Sequence, residues 1–82
     1  MRVLYFAWLR ERGGLAQEEV DPGDAATARA LIERLRERSE GHAAAFEDLR
    51  AVRCAVDEEM GDLDQPIAGA REVAFFPPVT GG

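Results

Sequence analysis

The residues of this chain best suited to chemistry are its last six, Pro77-Pro78-Val79-Thr80-Gly81-Gly82. Two prolines remove backbone freedom and hold the segment extended, while paired glycines strip every side chain from around the final carboxylate. Such a tip can enter a narrow tunnel and be attacked from either face. A free carboxylate is a poor acyl donor, so the chemistry it suits is activation. ATP would make an acyl-adenylate at Gly82, and a sulfur or amine nucleophile would then displace AMP. At a glycine usage of about 7%, two in a row at one position arise by chance roughly once in 200 sequences. The pair alone therefore does not separate a reactive tail from a frayed terminus.

The other chemically capable side chains lead to plainer readings. Cys54 is the only cysteine, which excludes a disulfide framework, a zinc quartet or a CxxC redox pair within the chain. It reads as a small buried apolar residue. His42 has no second ligand at metal spacing and reads as a solvated structural side chain. The five acids from Asp57 to Asp64 fail the register of a calcium loop, because the twelfth position counted from Asp57 is Ala68 rather than glutamate. They read as a solvated hairpin tip, and no metal site is expected.

Size and charge narrow the function further. The chain has 82 residues, 46% apolar and 32% charged, with 16 acidic side chains against 10 basic ones and a formal net charge of −6. A chain of this size buries only about 60 to 65% of the surface its unfolded form exposes, which allows one domain with one modest core and no deep substrate pocket. A self-sufficient enzyme is not expected. The acidic balance argues against nucleic acid or an anionic membrane as the main partner, since both require clustered positive charge. No apolar stretch approaches the ~20 residues needed to cross a bilayer. The apolar run at the N-terminus is stopped by Arg10, Glu11 and Arg12 with no small-residue cleavage site behind it, so a cytoplasmic protein is expected.

The tail must be held out by something, and the pattern before it supplies a sheet. Arg2 to Leu9 is rich in β-branched and aromatic residues and reads as a central strand, with Val3, Tyr5 and Ala7 on one face and Leu4, Phe6 and Trp8 on the other. Gly13-Gly14 marks a turn, and Ala16 to Val20 reads as a polar edge strand that ends at Asp21-Pro22-Gly23. Ala28, Leu31, Ile32 and Leu35 then follow helical spacing, with Asp24 or Thr27 as the N-cap and Gly41 as the closing residue. His42 to Leu49 adds a short turn of helix through Phe46 and Leu49. Arg53 to Val56 is a third strand, and Glu72 to Phe76 is the last, ended by prolines that cannot donate ladder hydrogen bonds. The helix is long enough for a crossover, so the first and last strands can lie side by side in parallel. The expected fold is α+β, the β-grasp arrangement of ubiquitin-like proteins. It has a mixed sheet of four to five strands with one main helix on one face, over residues 1–76, followed by a flexible Gly-Gly tail over 77–82.

Named in full, the stretch Glu72-Val73-Ala74-Phe75-Phe76-Pro77-Pro78-Val79-Thr80-Gly81-Gly82, with the Val3-Leu4-Tyr5-Phe6-Ala7 strand and Leu9-Arg10-Glu11, resembles the small, sulfur-carrier subunits of molybdopterin synthase from end to end. The resemblance implies a cycle. A ubiquitin-activating-type adenylyltransferase would use ATP to convert Gly82 to a glycyl-adenylate, and a sulfur donor protein would replace AMP to leave a thiocarboxylate. The large synthase subunit would then draw in Pro77, Pro78, Val79, Thr80 and Gly81, and the sulfur would pass to cyclic pyranopterin monophosphate. It also implies a heterotetramer, with catalytic residues in the large subunit and no permanently bound cofactor in the small one.

The period-2 rule independently points to a docking face. If Val3, Tyr5, Val73 and Phe75 face the helix, then Leu4, Phe6, Trp8, Ala74 and Phe76 face the bare side of the sheet. Phe6 and Phe76 become neighbours at the root of the tail, and Met60 joins them. An uncovered aromatic patch of this kind reads as an interface. A second sheet layer or a homodimer mate would cover the same residues. Two other functions stay open on the sequence: a sulfur carrier for thiazole or cysteine synthesis, and a β-grasp binding module without tail chemistry.

Overall fold

The computed structural model describes residues 1–78. Nine short elements follow one another: β1 (Arg2–Tyr5), α1 (Trp8–Gly13), β2 (Gln17–Glu19), α2 (Ala28–Arg36), α3 (Glu40–Ala45), a 3₁₀ turn (Leu49–Ala51), β3 (Arg53–Val56), β4 (Glu59–Gly61) and β5 (Glu72–Phe76). The strands form a single mixed sheet in the order β2-β1-β5-β3-β4. β1 and β5 run parallel, with Val3 opposite Val73 and Tyr5 opposite Phe75, and every other pairing is antiparallel. This is the β-grasp order expected from the sequence. The last strand lies at the centre of the sheet.

One face of the sheet is covered. Val3, Tyr5, Cys54, Val56, Val73 and Phe75 point inward and meet Ala28, Leu31, Ile32 and Leu35 of α2, with Phe46 and Leu9 closing the sides. Phe46 and Phe75 pack edge to face with ring centres 5.0 Å apart, a geometry that adds to the burial of the two rings. Thr27 caps α2, its hydroxyl accepting from the Ala30 N–H at 3.1 Å.

The β3–β4 connection is a two-residue turn, Asp57 at φ 48° and Glu58 at φ 72°, the left-handed pair that a tight hairpin requires. Neither residue is the glycine usual there. Asp57 supplies what compensates: its Oδ1 accepts from the N–H groups of Arg71 and Glu72 at 2.9 and 3.0 Å, tying the turn to the start of β5. The acidic stretch is thus a hairpin tip as expected, although its second half, Glu59–Gly61, is itself a strand.

Several expectations are corrected. The first strand ends at Tyr5 rather than Leu9, because Ala7 takes φ 55° and ψ −132° and turns the chain into α1. An alanine held at that φ costs on the order of 1 to 3 kcal/mol. Leu9 in α1 is fully buried, and that burial favours the bend. Trp8 therefore lies on α1 and not on the bare face of the sheet, its ring under the Arg12 guanidinium at 4.7 Å. Gly41 does not close α2, which ends at Glu37 in ordinary helical geometry. It lies inside α3, where a Cβ would come within 3.1 Å of the Arg12 and Gly13 carbonyl oxygens. The glycine allows α3 to approach the end of α1. The second strand is shorter than Ala16 to Val20, and the second helix starts at Glu40 rather than His42.

Candidate functional site

The site is built where β5 leaves the sheet. Residues paired across a sheet share a face, so the register sets out the uncovered side row by row. One row reads Leu4, Ala74, Ala55, Met60 across β1, β5, β3 and β4. The two central alanines make a shallow floor with Leu4 and Met60 as its borders. The next row, toward the tail, has Phe76 paired with Arg53, and Phe6 lies just past the end of β1, where its N–H donates to the Phe75 carbonyl at 3.1 Å. Phe6 is 48% exposed and Met60 69%, and they are the exposed large apolar side chains among the described residues. Phe76, Pro77 and Pro78 are half-buried. Arg53 turns its guanidinium to the Arg50 and Val52 carbonyls at 3.1 and 3.0 Å rather than over the rings.

The opposite end of the same face is charged. Arg2 pairs with Glu72 at 3.3 Å, beside Glu19 on the edge strand. The face thus runs from ions at one end to the Phe6 and Phe76 rings at the end from which Pro77 and Pro78 depart. Phe6 and Phe76 lie on one surface, as the spacing predicts, and the β3–β4 register brings Met60 onto it, while Val79, Thr80, Gly81 and Gly82 lie outside the described residues.

The two isolated candidates differ from each other. Cys54 is completely buried in β3, as expected, with its thiol directed at the Asp62 carbonyl 3.3 Å away. Burial, with the Asp62 charge, raises its pKa, so it stays a thiol. His42, expected in solvent, is only 7% exposed. Its Nε2 lies 2.6 Å from Glu18 Oε2 and its Nδ1 2.7 Å from Ser39 Oγ. Glu18 Oε2 also accepts from the Tyr5 hydroxyl at 2.6 Å, and Arg38 reaches Oε1 at 3.2 Å. Burial alone would raise the Glu18 carboxyl. The hydrogen bonds from His42 and Tyr5, with the charges of His42 and Arg38, outweigh it and hold the carboxyl below its usual range. The Tyr5 phenol is raised, first by burial and then by the Glu18 carboxylate. Sequence reasoning missed Glu18. The signal lay in the pairing of Val3 with Glu18, which turns an edge-strand carboxylate toward the helices. Among the described residues no cluster of His, Cys, Asp or Glu is placed to hold a metal ion. No helix among them is long and apolar enough to cross a membrane.

The model of the ThiS family matches residues 3–82. The chain belongs to the ThiS family. Two relatives align with it over 82 residues, 100% of this chain and 99% of their own length. They are the molybdopterin synthase sulfur carrier subunits of Escherichia coli, 40% identical, and of Haemophilus influenzae, 35% identical. Among solved structures, SAMP1 of Haloferax volcanii superposes with a TM-score of 0.74 at 27% identity, covering 100% of this chain and 98% of that one. A putative molybdopterin converting factor subunit 1 of Pyrococcus furiosus gives 0.71 at 29%, with 95% of each chain covered. The β-grasp sheet of this ThiS-family chain and its uncovered face are therefore set in a known architecture.

Proposed function

We propose that this chain is a sulfur carrier of molybdenum cofactor biosynthesis, the small subunit of a molybdopterin synthase. The observation that carries the reading is full-length kinship with two molybdopterin synthase sulfur carrier subunits. The apolar face at the root of the tail supports it, because a carrier must dock before it delivers. In this reading residues 1–76 are the docking domain and residues 77–82 the reactive arm. The Gly82 carboxylate attacks the α-phosphorus of ATP in a ubiquitin-activating-type adenylyltransferase, and diphosphate leaves. Hydrosulfide released by a donor protein then attacks the acyl carbon, AMP leaves with the bonding pair, and the thioacid loses its proton. The resulting thiocarboxylate delivers its sulfur to cyclic pyranopterin monophosphate in the active site of the large synthase subunit. Phe6, Met60 and Phe76 bind that subunit, and Pro77, Pro78, Val79, Thr80 and Gly81 thread its entrance. The cycle belongs to the cytoplasm and needs no cofactor bound to this chain.

Mass spectrometry of the C-terminal peptide tests the reading. Protein incubated with its activating enzyme, ATP and a sulfur source should exchange one oxygen for sulfur at Gly82. Deleting Gly82 shortens the reach of the arm by about 3.5 Å, where a misplacement of 1 Å can already cost about a hundredfold. The deletion variant should bind the large subunit yet transfer no sulfur. Wild-type protein that stays unmodified where an established carrier is charged would overturn the proposal.

A further inference from the structure

The chain contains three sulfur atoms, in Met1, Cys54 and Met60, and the fold treats them very differently. The Met1 side chain is 3% exposed and packs against the core. Cys54 is sealed beneath α2 and held as the thiol, the form that oxidants attack slowly. Met60 stands 69% exposed on edge strand β4, on the uncovered face opposite Ala55. A thioether needs no deprotonation to react, so access alone decides which methionine oxidises.

We propose that Met60 is the peroxide-reactive side-chain sulfur of this molecule, and that its conversion to the sulfoxide closes the apolar sheet face to the docking partner. The second half rests on the docking role given above to that face. In the reaction the thioether lone pair attacks one oxygen of hydrogen peroxide, the O–O bond breaks and an S–O bond forms. The departing hydroxide takes the proton of the transferred oxygen and leaves as water. Sulfur is oxidised by two electrons and the peroxide is reduced by two. The fold is untouched, because Met60 contributes nothing to the core. The face is not. A sulfoxide oxygen is a strong acceptor, and pressing it against apolar partner groups strands it without a donor. A methionine sulfoxide reductase, drawing on a dithiol, reverses the change.

The test uses the full-length chain, limiting hydrogen peroxide and its cognate large molybdopterin synthase subunit. Trypsin cuts after Arg53 and Arg71, which places Met60 and the C-terminal arm on different peptides. Added oxygen and a sulfur-for-oxygen exchange, nearly equal in mass, are thereby told apart. The expected result is one oxygen, located by fragmentation at Met60, with Met1 and Cys54 unchanged. Large-subunit affinity should fall at least tenfold, circular dichroism should stay native, and the reductase should restore binding. In Met60→Leu, treated and untreated protein should bind alike, whatever the level. Oxygen appearing first at Met1 or Cys54 overturns the assignment. Oxidation at Met60 without loss of affinity overturns the closure. If untreated protein fails to bind the large subunit at all, the docking role itself falls and the closure with it, while the peptide map still decides where the oxygen goes.

Discussion

Glu18 is the residue whose role the fold changes most. Its carboxylate collects the Tyr5 hydroxyl, His42 Nε2 and Arg38 in one half-buried network that fastens β2 to α3. Because its folded pKa lies below the unfolded value, the stabilisation is complete above the unfolded pKa and is lost as pH falls through the folded one. Glu18→Gln should therefore destabilise the domain near pH 7 by about 1.5 to 3 kcal/mol, the usual worth of hydrogen bonds to a charged group. The gap to wild type should shrink as the pH drops below about 4.5. Asp48 and Asp64, held low by hydrogen bonds from Arg50 and Arg29, titrate in both proteins and cancel from the difference. Urea midpoints between pH 3 and 7 measure it, and a gap that stays constant with pH would remove Glu18 as the titrating group. Cys54 gives the complementary prediction: iodoacetamide should label it only after denaturant opens the core, and labelling of native protein would contradict its burial. The sequence showed that Cys54 is buried, since a lone cysteine among β-formers rarely faces water. It did not show the same of His42. A histidine in a polar stretch becomes a core residue only when a carboxylate elsewhere turns inward to meet it, and that pairing is a property of the register.

At the scale of elements, the strands 53–56 and 72–76 were legible to the residue. Each is a short run of inward and outward positions stopped by strong turn chemistry. β1 was not, because Arg2 to Leu9 is apolar on both faces, and alternation then gives no sign of where a strand ends. The bend is visible only as the left-handed φ of Ala7 and the burial of Leu9. α1 escaped, and α3 was read with shifted bounds, for a related reason: each spans 6 residues, too few for a 3.6-residue period to stand out. α2 carries the full pattern, and its side chains set the energetics of the covered face. Leu31→Ala should cost about 2 to 5 kcal/mol through the cavity left under the helix, against about 1 kcal/mol for Thr27→Ala, which removes only the cap. Chemical denaturation of the two variants checks the ordering. A Leu31→Ala protein no less stable than Thr27→Ala would mean that the helix is not packed as described.

For the whole molecule, the division of the sheet into a covered and an uncovered side would, with the docking role proposed above, separate stability from recognition. Phe6→Ala should leave the denaturation midpoint close to wild type while weakening large-subunit binding by about 2 to 4 kcal/mol. Calorimetric titration beside thermal melting separates the two, and a variant that unfolds would place Phe6 in the core after all. This division was legible from parity alone for Leu4, Phe6, Ala74 and Phe76. Ala55 and the alignment of Met60 with it needed the β3–β4 register. The central position of β5 has a mechanical consequence. A partner that draws on Pro77 and Pro78 pulls β5 along its own length, and that strand is bonded on both flanks, to β1 and to β3. The load falls in shear on two ladders whose hydrogen bonds lie crosswise to the pull and must yield together, whereas an edge strand tugged sideways would unzip one bond at a time. Pro77 and Pro78 are anchored like a rope clamped between two plates, so traction applied there would be borne without peeling the domain apart.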